Sequence, residues 1–318
     1  MVIEENLLRR PDPDSHALVE AGFTSGPLAA AFESIPVLET RGGLSKEDFD
    51  RDYRAAMRPV VLEGFVKDWP AVQTWSFEHL ARLCPDVEVV VDSYNSQKAR
   101  RVTFPDFVRQ LEENEGNTES PLYLQEWLFQ ANAPQLAADM PELEVAQYDF
   151  RRNLYGDDAA TNHQLWLGQT GGVTRLHQDS YSVDVMHAQL VGTKRWHVMG
   201  PQAQLRRGAD GEPDWQALLE APETQLHRFD LRPGDLLYLP AGWFHRIELL
   251  ENSIGLGRKC LDEANLRIHI KQRMNELLAL LLNYDEVAHT HPDLVPVLMS
   301  RSRVFADRLG LDLSRLRP

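Results

Sequence analysis

The segment VTRLHQDSYS, residues 173 to 182, sets His177 and Asp179 two positions apart just past the pair Gly171-Gly172. On an extended chain, residues two apart share a face, so an imidazole and a carboxylate converge on one object, and a divalent metal ion is the obvious candidate. An H-x-D pair by itself arises by chance in a chain of this size. A third donor changes its meaning. In RPGDLLYLPAGWFHRIE, residues 232 to 248, His245 sits on a strand directly after a Pro-Ala-Gly-Trp turn. Two histidines and one carboxylate on one face of a metal leave the opposite positions open, which is what a non-haem Fe(II) oxygenase needs to bind a co-substrate and oxygen together. Cys84 and Cys260 are the only cysteines, far apart and without a C-x-x-C pattern. Neither a thiolate zinc site nor a disulfide framework is indicated.

The elements that must position these donors change character along the chain. From about Asn162 the sequence breaks into short runs, HQLWLGQ, VDVMHAQLV, KRWHVMG, TQLHRFDL, DLLYLP, FHRIELL and SIGLGRK, separated by Gly-Gly, Gly-Pro, Pro-Gly and Ala-Gly pairs. Many short strands at this spacing predict a sandwich or barrel, of which the cupin jelly roll is one form. Ahead of it lies an α/β stretch. LSKEDFDRDYRAAM (44 to 57) reads as a helix capped by Ser45, and RPVVLEGF as a strand ended by Gly64. SFEHLARLC reads as helix, VEVVVDSY (87 to 94) as strand, Phe104 to about Glu113 as helix and PLYLQEW (121 to 127) as strand. Residues 1 to 35 carry Pro11, Pro13, Gly22, Gly26 and Pro27 with no sustained period and read as an irregular arm. Past Leu261 two helices are predicted, over 262 to 284 and 293 to 310; Leu277, Leu278, Leu281 and Leu282 are as available to a second subunit as to their own domain. The expected fold is α+β with a mainly β core, divided into an arm (1–35), a core domain (36–260) and a helical appendage (261–318) suited to homodimerisation.

The bulk numbers narrow the function. The chain has 318 residues, 43% of them hydrophobic, ample for a buried core. It contains no apolar run of eighteen residues, and its start, MVIEENLLRRPDPDSH, has no hydrophobic signal core, so a cytoplasmic protein without a membrane partner is expected. Thirty-three basic against 48 acidic side chains give a formal charge of −15, which opposes a polyanion and excludes nucleic acid as the main partner. The last eighteen residues reverse the trend, with five arginines against two aspartates.

Taken together, the motifs resemble the JmjC-like, cupin-fold oxygenases dependent on Fe(II) and 2-oxoglutarate. The resemblance runs from about Pro36 to Lys259 and rests on RPVVLEGFVKDWPAVQTWSFEHL, GGVTRLHQDSY, LVGTKRWHVMGP and PGDLLYLPAGWFHRIE in combination. It implies a double-stranded β-helix, with His177, Asp179 and His245 as the iron ligands. It further implies that Lys194 meets the distal carboxylate of 2-oxoglutarate, a task suited to a cation in a closed pocket. Thr174 and Tyr123 match its assisting hydroxyl donors. Two positions depart from the pattern. His187 stands where several relatives carry asparagine, a position from which it could bond the co-substrate, touch the substrate or simply pack, and Arg175 is bulky and charged where relatives are often small and apolar. Arg175, Gln125 and Trp243 are the candidate substrate contacts. His163, His197 and His227 are read as ordinary, partly buried imidazoles, and Trp196 as a core or pocket wall.

What the resemblance implies is hydroxylation of an aliphatic carbon, with succinate and carbon dioxide as co-products and no general acid or base. The compact size favours an amino-acid side chain of a protein or peptide as substrate. A small-molecule or natural-product hydroxylase, a lysine or arginine demethylase, a cupin metalloenzyme that does not use 2-oxoglutarate and a non-catalytic cupin module are the alternatives.

Overall fold

A computed structural model describes residues 32–93, 96–117, 120–146, 150, 163–179, 183–205 and 213–282. The arm through residue 31 and the second C-terminal helix, over 293 to 310, lie outside the described residues, as do the side chains of 276 to 282. Thirteen strands are described: β1 (Thr40–Arg41), β2 (Val60–Leu62), β3 (Glu88–Ser93), β4 (Ser96–Thr103), β5 (Leu122–Trp127), β6 (Gln164–Gly168), β7 (Val173–Gln178), β8 (Asp184–Val191), β9 (Lys194–Met199), β10 (His227–Leu231), β11 (Leu236–Leu239), β12 (Phe244–Leu249) and β13 (Ser253–Cys260). They form a nine-stranded sheet in the order β1-β2-β11-β8-β13-β6-β5-β3-β4 and a four-stranded sheet in the order β10-β9-β12-β7. Except for the β1–β2 pair, every ladder in the two sheets is antiparallel. The architecture is the expected double-stranded β-helix with α/β elements in front and a helix behind.

β8 and β11, inside the large sheet, are buried on both faces because both are covered. In β11, Leu236 and Tyr238 join a core shared with the helices, whereas Leu237 and Leu239 join the core between the sheets. The same alternation splits β8: Met186, Ala188 and Leu190 face the helices, which leaves Val185 and His187 on the inner face. From the small sheet, Trp196, Val198, Phe229, Leu231, Ile247 and Leu249 fill the inner layer. The helical side is built from α1 (Lys46–Phe49, continued by a π-helical turn Asp50–Arg54), α2 (Pro70–Thr74), α3 (Phe77–Leu83) and α4 (Phe104–Glu113). Ser45, Ser76 and Thr103 cap α1, α3 and α4, each hydroxyl accepting the backbone N–H three residues on, at 3.1, 3.1 and 3.2 Å. After the short α5 (Trp215–Glu220), the described chain ends in α6 (Glu263–Leu282). No helix among the described residues is long and apolar enough to cross a membrane.

Two features had no periodic signal. SQKARRVT forms β4, an edge strand pairing only with β3, and Arg100 and Arg101 on it are exposed. An edge needs no apolar alternation, and charge on it discourages pairing with other chains. The end of the arm is also tied down. Phe32 and Ile35 are buried beside Trp215 and Met199, and Leu38 N–H donates to the Arg228 carbonyl at 3.1 Å.

Candidate metal centre

β12 runs between β9 and β7, and its register places His245 directly opposite His177, with ring centroids 4.1 Å apart. Asp179 follows the last residue of β7 and lies on the same side as His177, two residues back. One ligand atom from each of the three lies within 4.8 Å of those of the other two; Asp179 Oδ2 is 3.9 Å from His245 Nε2. Among the described residues this is the group of His, Cys, Asp and Glu side chains close enough to share an ion. Backbone carbonyls orient both rings: His177 Nδ1–H donates to Arg175 O at 2.8 Å, and His245 Nδ1 faces Trp243 O at 3.4 Å. With the proton held on Nδ1, each Nε2 lone pair is free for a metal. Burial, followed by the neighbouring His177, pulls the His245 pKa down to about 4, so this ring is neutral at physiological pH, as a ligand must be.

Thr174 reaches the same cavity by way of a bulge. Ile247 pairs with Thr174 and His245 with His177, so one residue of β12 opposes two of β7, Arg175 and Leu176. In a regular strand, residues three apart point to opposite faces. The extra residue restores Thr174 to the inner side, where both it and His177 line the cavity. Its hydroxyl donates to the Tyr123 phenol oxygen at 3.5 Å. Burial raises Tyr123 to about 12, so the phenol keeps its proton as a donor.

Behind the metal ligands lie two buried bases, each with a nitrogen that lacks a hydrogen-bond partner. Lys194 is fully buried and His187 is 4% exposed; Lys194 Nζ and His187 Nε2 make no hydrogen bond. Burial lowers Lys194 to about 7 and, with the lysine charge, drives His187 well below its usual value. An ammonium sealed in this way is costly unless an anion meets it. The space around the two bases depends on Gly255. A Cβ there would overlap His187 Nε2 and lie 3.0 Å from Lys194 Nζ. Gly255 and Gly257 alternate on the inner face of β13 while Ile254 and Leu256 face the helices. The sequence reading did not single out either glycine, although glycine at alternate positions in a strand marks a close approach.

The remaining candidates fall elsewhere. Trp243 is buried in the core between the sheets and meets the site through its carbonyl. Gln125 is exposed, and the side chains of Arg175, Gln125 and Trp243 are not among those lining the cavity. Trp196, between His187 and His245 at ring-centroid distances of 5.1 and 5.8 Å, forms a wall of the cavity. His197 is buried on the outer face of the small sheet, edge-on to Phe32 at 5.3 Å, away from the ligands. Lys259, which sequence reasoning passed over, lines the mouth with its Nζ 3.7 Å from Asp179 Oδ1.

The donor set fits Fe(II), and the partnerless Lys194 fits a carboxylate reaching inward from it. Comparison with known proteins agrees. The chain is 27% identical over 244 residues to an arginine-specific demethylase, JMJ22, of Arabidopsis thaliana, covering 70% of this chain and 46% of the relative. It is 27% identical over 248 residues to lysine-specific demethylase 8 of Xenopus tropicalis, covering 70% and 54%. It therefore spans about half the length of these two curated relatives. Against the human 2-oxoglutarate and iron-dependent oxygenase JMJD4 it is 24% identical over 303 residues, covering 86% and 71%. The model of the cupin-like domain matches residues 46–208, a stretch that holds His177, Asp179, His187 and Lys194, and the chain belongs to that family.

Proposed function

We propose that this protein is an Fe(II)- and 2-oxoglutarate-dependent dioxygenase that hydroxylates an aliphatic carbon of an amino-acid side chain in a protein or peptide. One observation carries the reading: two imidazoles and a carboxylate able to share an ion line a cavity together with His187, and behind His187, against Gly255, lies a buried lysine amine with no hydrogen-bond partner. The names of the relatives, an iron- and 2-oxoglutarate-dependent oxygenase, an arginine-specific demethylase and a lysine-specific demethylase, support it. When bound, the metal and co-substrate supply the oxidising chemistry, with succinate and carbon dioxide as co-products.

The chain's own residues bind and orient. His177, Asp179 and His245 would hold Fe(II), and the two carbonyl-oriented rings keep their tautomers for it. Lys194 would receive the distal carboxylate of 2-oxoglutarate, with the Tyr123 phenol, the Thr174 hydroxyl and His187 as further hydrogen-bonding groups around it. Trp196 and Ile247 line the cavity with apolar surface that keeps water away from the reacting centre. No residue has to move a proton from carbon. The working unit is residues 36 to 260, the location cytoplasmic, and the segment past Leu261 pairs two copies.

The test is an anaerobic titration of the protein with Fe(II) and 2-oxoglutarate. A metal-to-ligand charge-transfer band is expected, followed by succinate when air is admitted; the absence of both rejects the reading. Gly255 offers a second test, since a methyl there overlaps His187 and crowds Lys194. Overpacking of this kind costs about 1–3 kcal/mol. Gly255→Ala should therefore weaken 2-oxoglutarate binding by about tenfold or more while Fe(II) affinity, measured separately by competition with a chromogenic chelator, is retained.

A further inference from the structure

The two ligand histidines are oriented in the same way but from unequal supports. Each ring turns its Nδ1 to the carbonyl two residues back, Arg175 for His177 and Trp243 for His245, at 2.8 and 3.4 Å. Arg175 lies within β7, whereas Trp243 precedes β12 and belongs to the turn over residues 240–243. That turn is closed by Trp243 N–H donating to the Pro240 carbonyl at 3.3 Å, with Gly242 at φ +82°, the left-handed third position of a type II turn. A carbonyl in a turn moves more readily than one in a strand. Two side chains hold this one. Asp184, 2% exposed at the start of β8, accepts the Ala241 N–H on Oδ1 at 2.8 Å and the Tyr238 hydroxyl on Oδ2 at 3.0 Å, with the Asn265 amide as a further partner. Gln178, between the ligands His177 and Asp179, donates its amide N–H to the Gly242 carbonyl at 2.6 Å. Three consecutive residues of the turn therefore make one bond each: Ala241 to Asp184, Gly242 to Gln178, and Trp243 to the ligand ring.

Resting on the metal centre of the function proposed above, we infer that Asp184 and Gln178 are positioning residues that clamp this turn and so aim His245 Nε2 at the ion. Neither side chain lines the cavity, so both act through the turn. Asp184 fixes the turn to β8 in the large sheet; a backbone N–H bonded to an ionised oxygen is among the stronger hydrogen bonds, and burial shields it from water. A charge buried to this degree is costly without such partners. Gln178 fixes the same turn to β7, where it pairs in register with Phe244 and adjoins both other ligands. The third ligand is thereby indexed to the first two from one side and to the rigid sheet from the other. A partner on the ring nitrogen opposite the metal sets the tautomer and the ring angle of a histidine ligand.

The experiment compares the full chain and four variants by two readouts: Mn(II) affinity from isothermal titration, and the Nδ1–H tautomer of His245 in the metal-free protein from long-range proton–nitrogen correlation spectra, assigned with His245→Gln. Asp184→Ala should weaken Mn(II) by about tenfold or more, the range for loss of groups that orient a ligand. Gln178→Ala, at an exposed site, should weaken it by about threefold. Both should spread His245 over two tautomers. Asp184→Asn keeps an acceptor oxygen for Ala241 and turns its amide to the Tyr238 oxygen, so affinity within about threefold of wild type is expected. Tyr238→Phe removes the other partner of Asp184 and should lower the melting temperature, yet leave affinity and tautomer as in wild type, because Ala241 stays held. The inference is overturned if Asp184→Ala binds Mn(II) as wild type does, if Asp184→Asn loses as much as Asp184→Ala, or if Tyr238→Phe does, since the aspartate would then act through charge or stability alone. Should Asp184→Ala not fold, Gln178→Ala decides, and an unchanged affinity and tautomer there removes the clamp. Wild-type protein that binds no Mn(II) removes the metal centre and the oxygenase with it; wild-type binding with indistinguishable variants removes the clamp alone.

Discussion

Asp179→Ala should abolish Fe(II) binding at micromolar metal and, with it, all succinate formation. Replacement of groups that merely orient a ligand costs about 10–100-fold in metal affinity, so loss of a ligand should exceed about a hundredfold. Asp179 is also the one carboxylate in the set; without it two neutral rings face a dication with no anion to offset the charge. Its Oδ2 lies 3.9 Å from His245 Nε2, close enough for both to serve one ion. Isothermal titration with Fe(II) under argon, or with Mn(II) in air, reads the loss directly. Fold integrity is checked by circular dichroism, since Asp179 lies just past the end of β7 and is partly exposed. Undiminished metal binding in this variant would rule out the assigned centre.

The second large effect concerns Lys194. Lys194→Met should weaken 2-oxoglutarate by roughly a hundredfold, since truncating one partner of a buried charge pair costs about 2–5 kcal/mol. The same substitution should raise the melting temperature of the free protein. The sign follows from burial: the folded pKa of about 7 is below the usual lysine value of 10.5. The unfolded chain therefore binds more protons between those values, and stability increases as pH rises from 7 toward 10.5. At pH 7 and below, methionine removes a cost that lysine imposes. Binding has the opposite dependence. Above pH 7 the free protein has lost the proton that a carboxylate requires, so 2-oxoglutarate affinity should fall by up to about tenfold per pH unit. In Lys194→Met that slope should vanish. Calorimetry at pH 6.5, 7.5 and 8.5 distinguishes the two proteins; identical slopes would show that another group titrates.

Local chemistry sufficed for much of this molecule. The cap at Ser45 and the helix over Phe104–Glu113 follow from a hydroxyl and apolar spacing within a few residues. The short β runs follow from alternation and turn glycines, and His177 with Asp179 follows from a spacing of two. In each case the cause lies within one turn or one strand, so the sequence contains it. The cross-strand arrangement is different. That His245 faces His177 is set by the register of β12 between β9 and β7, and that Thr174 shares their side is set by a bulge that shifts the parity of β7. The need for glycine at 255 appears only when β13 packs beside β8 and brings His187 and Lys194 against it. Trp243, adjacent in sequence to the ligand strand, turns its ring into the core between the sheets and offers the site its carbonyl alone. Lys259 gains its place at the mouth from the inner face of β13 and from Glu126 on a distant strand. These facts were hidden because each depends on two segments whose relative offset no local pattern records. Residue types and short spacings select the donors, whereas sheet register and packing select which donors meet.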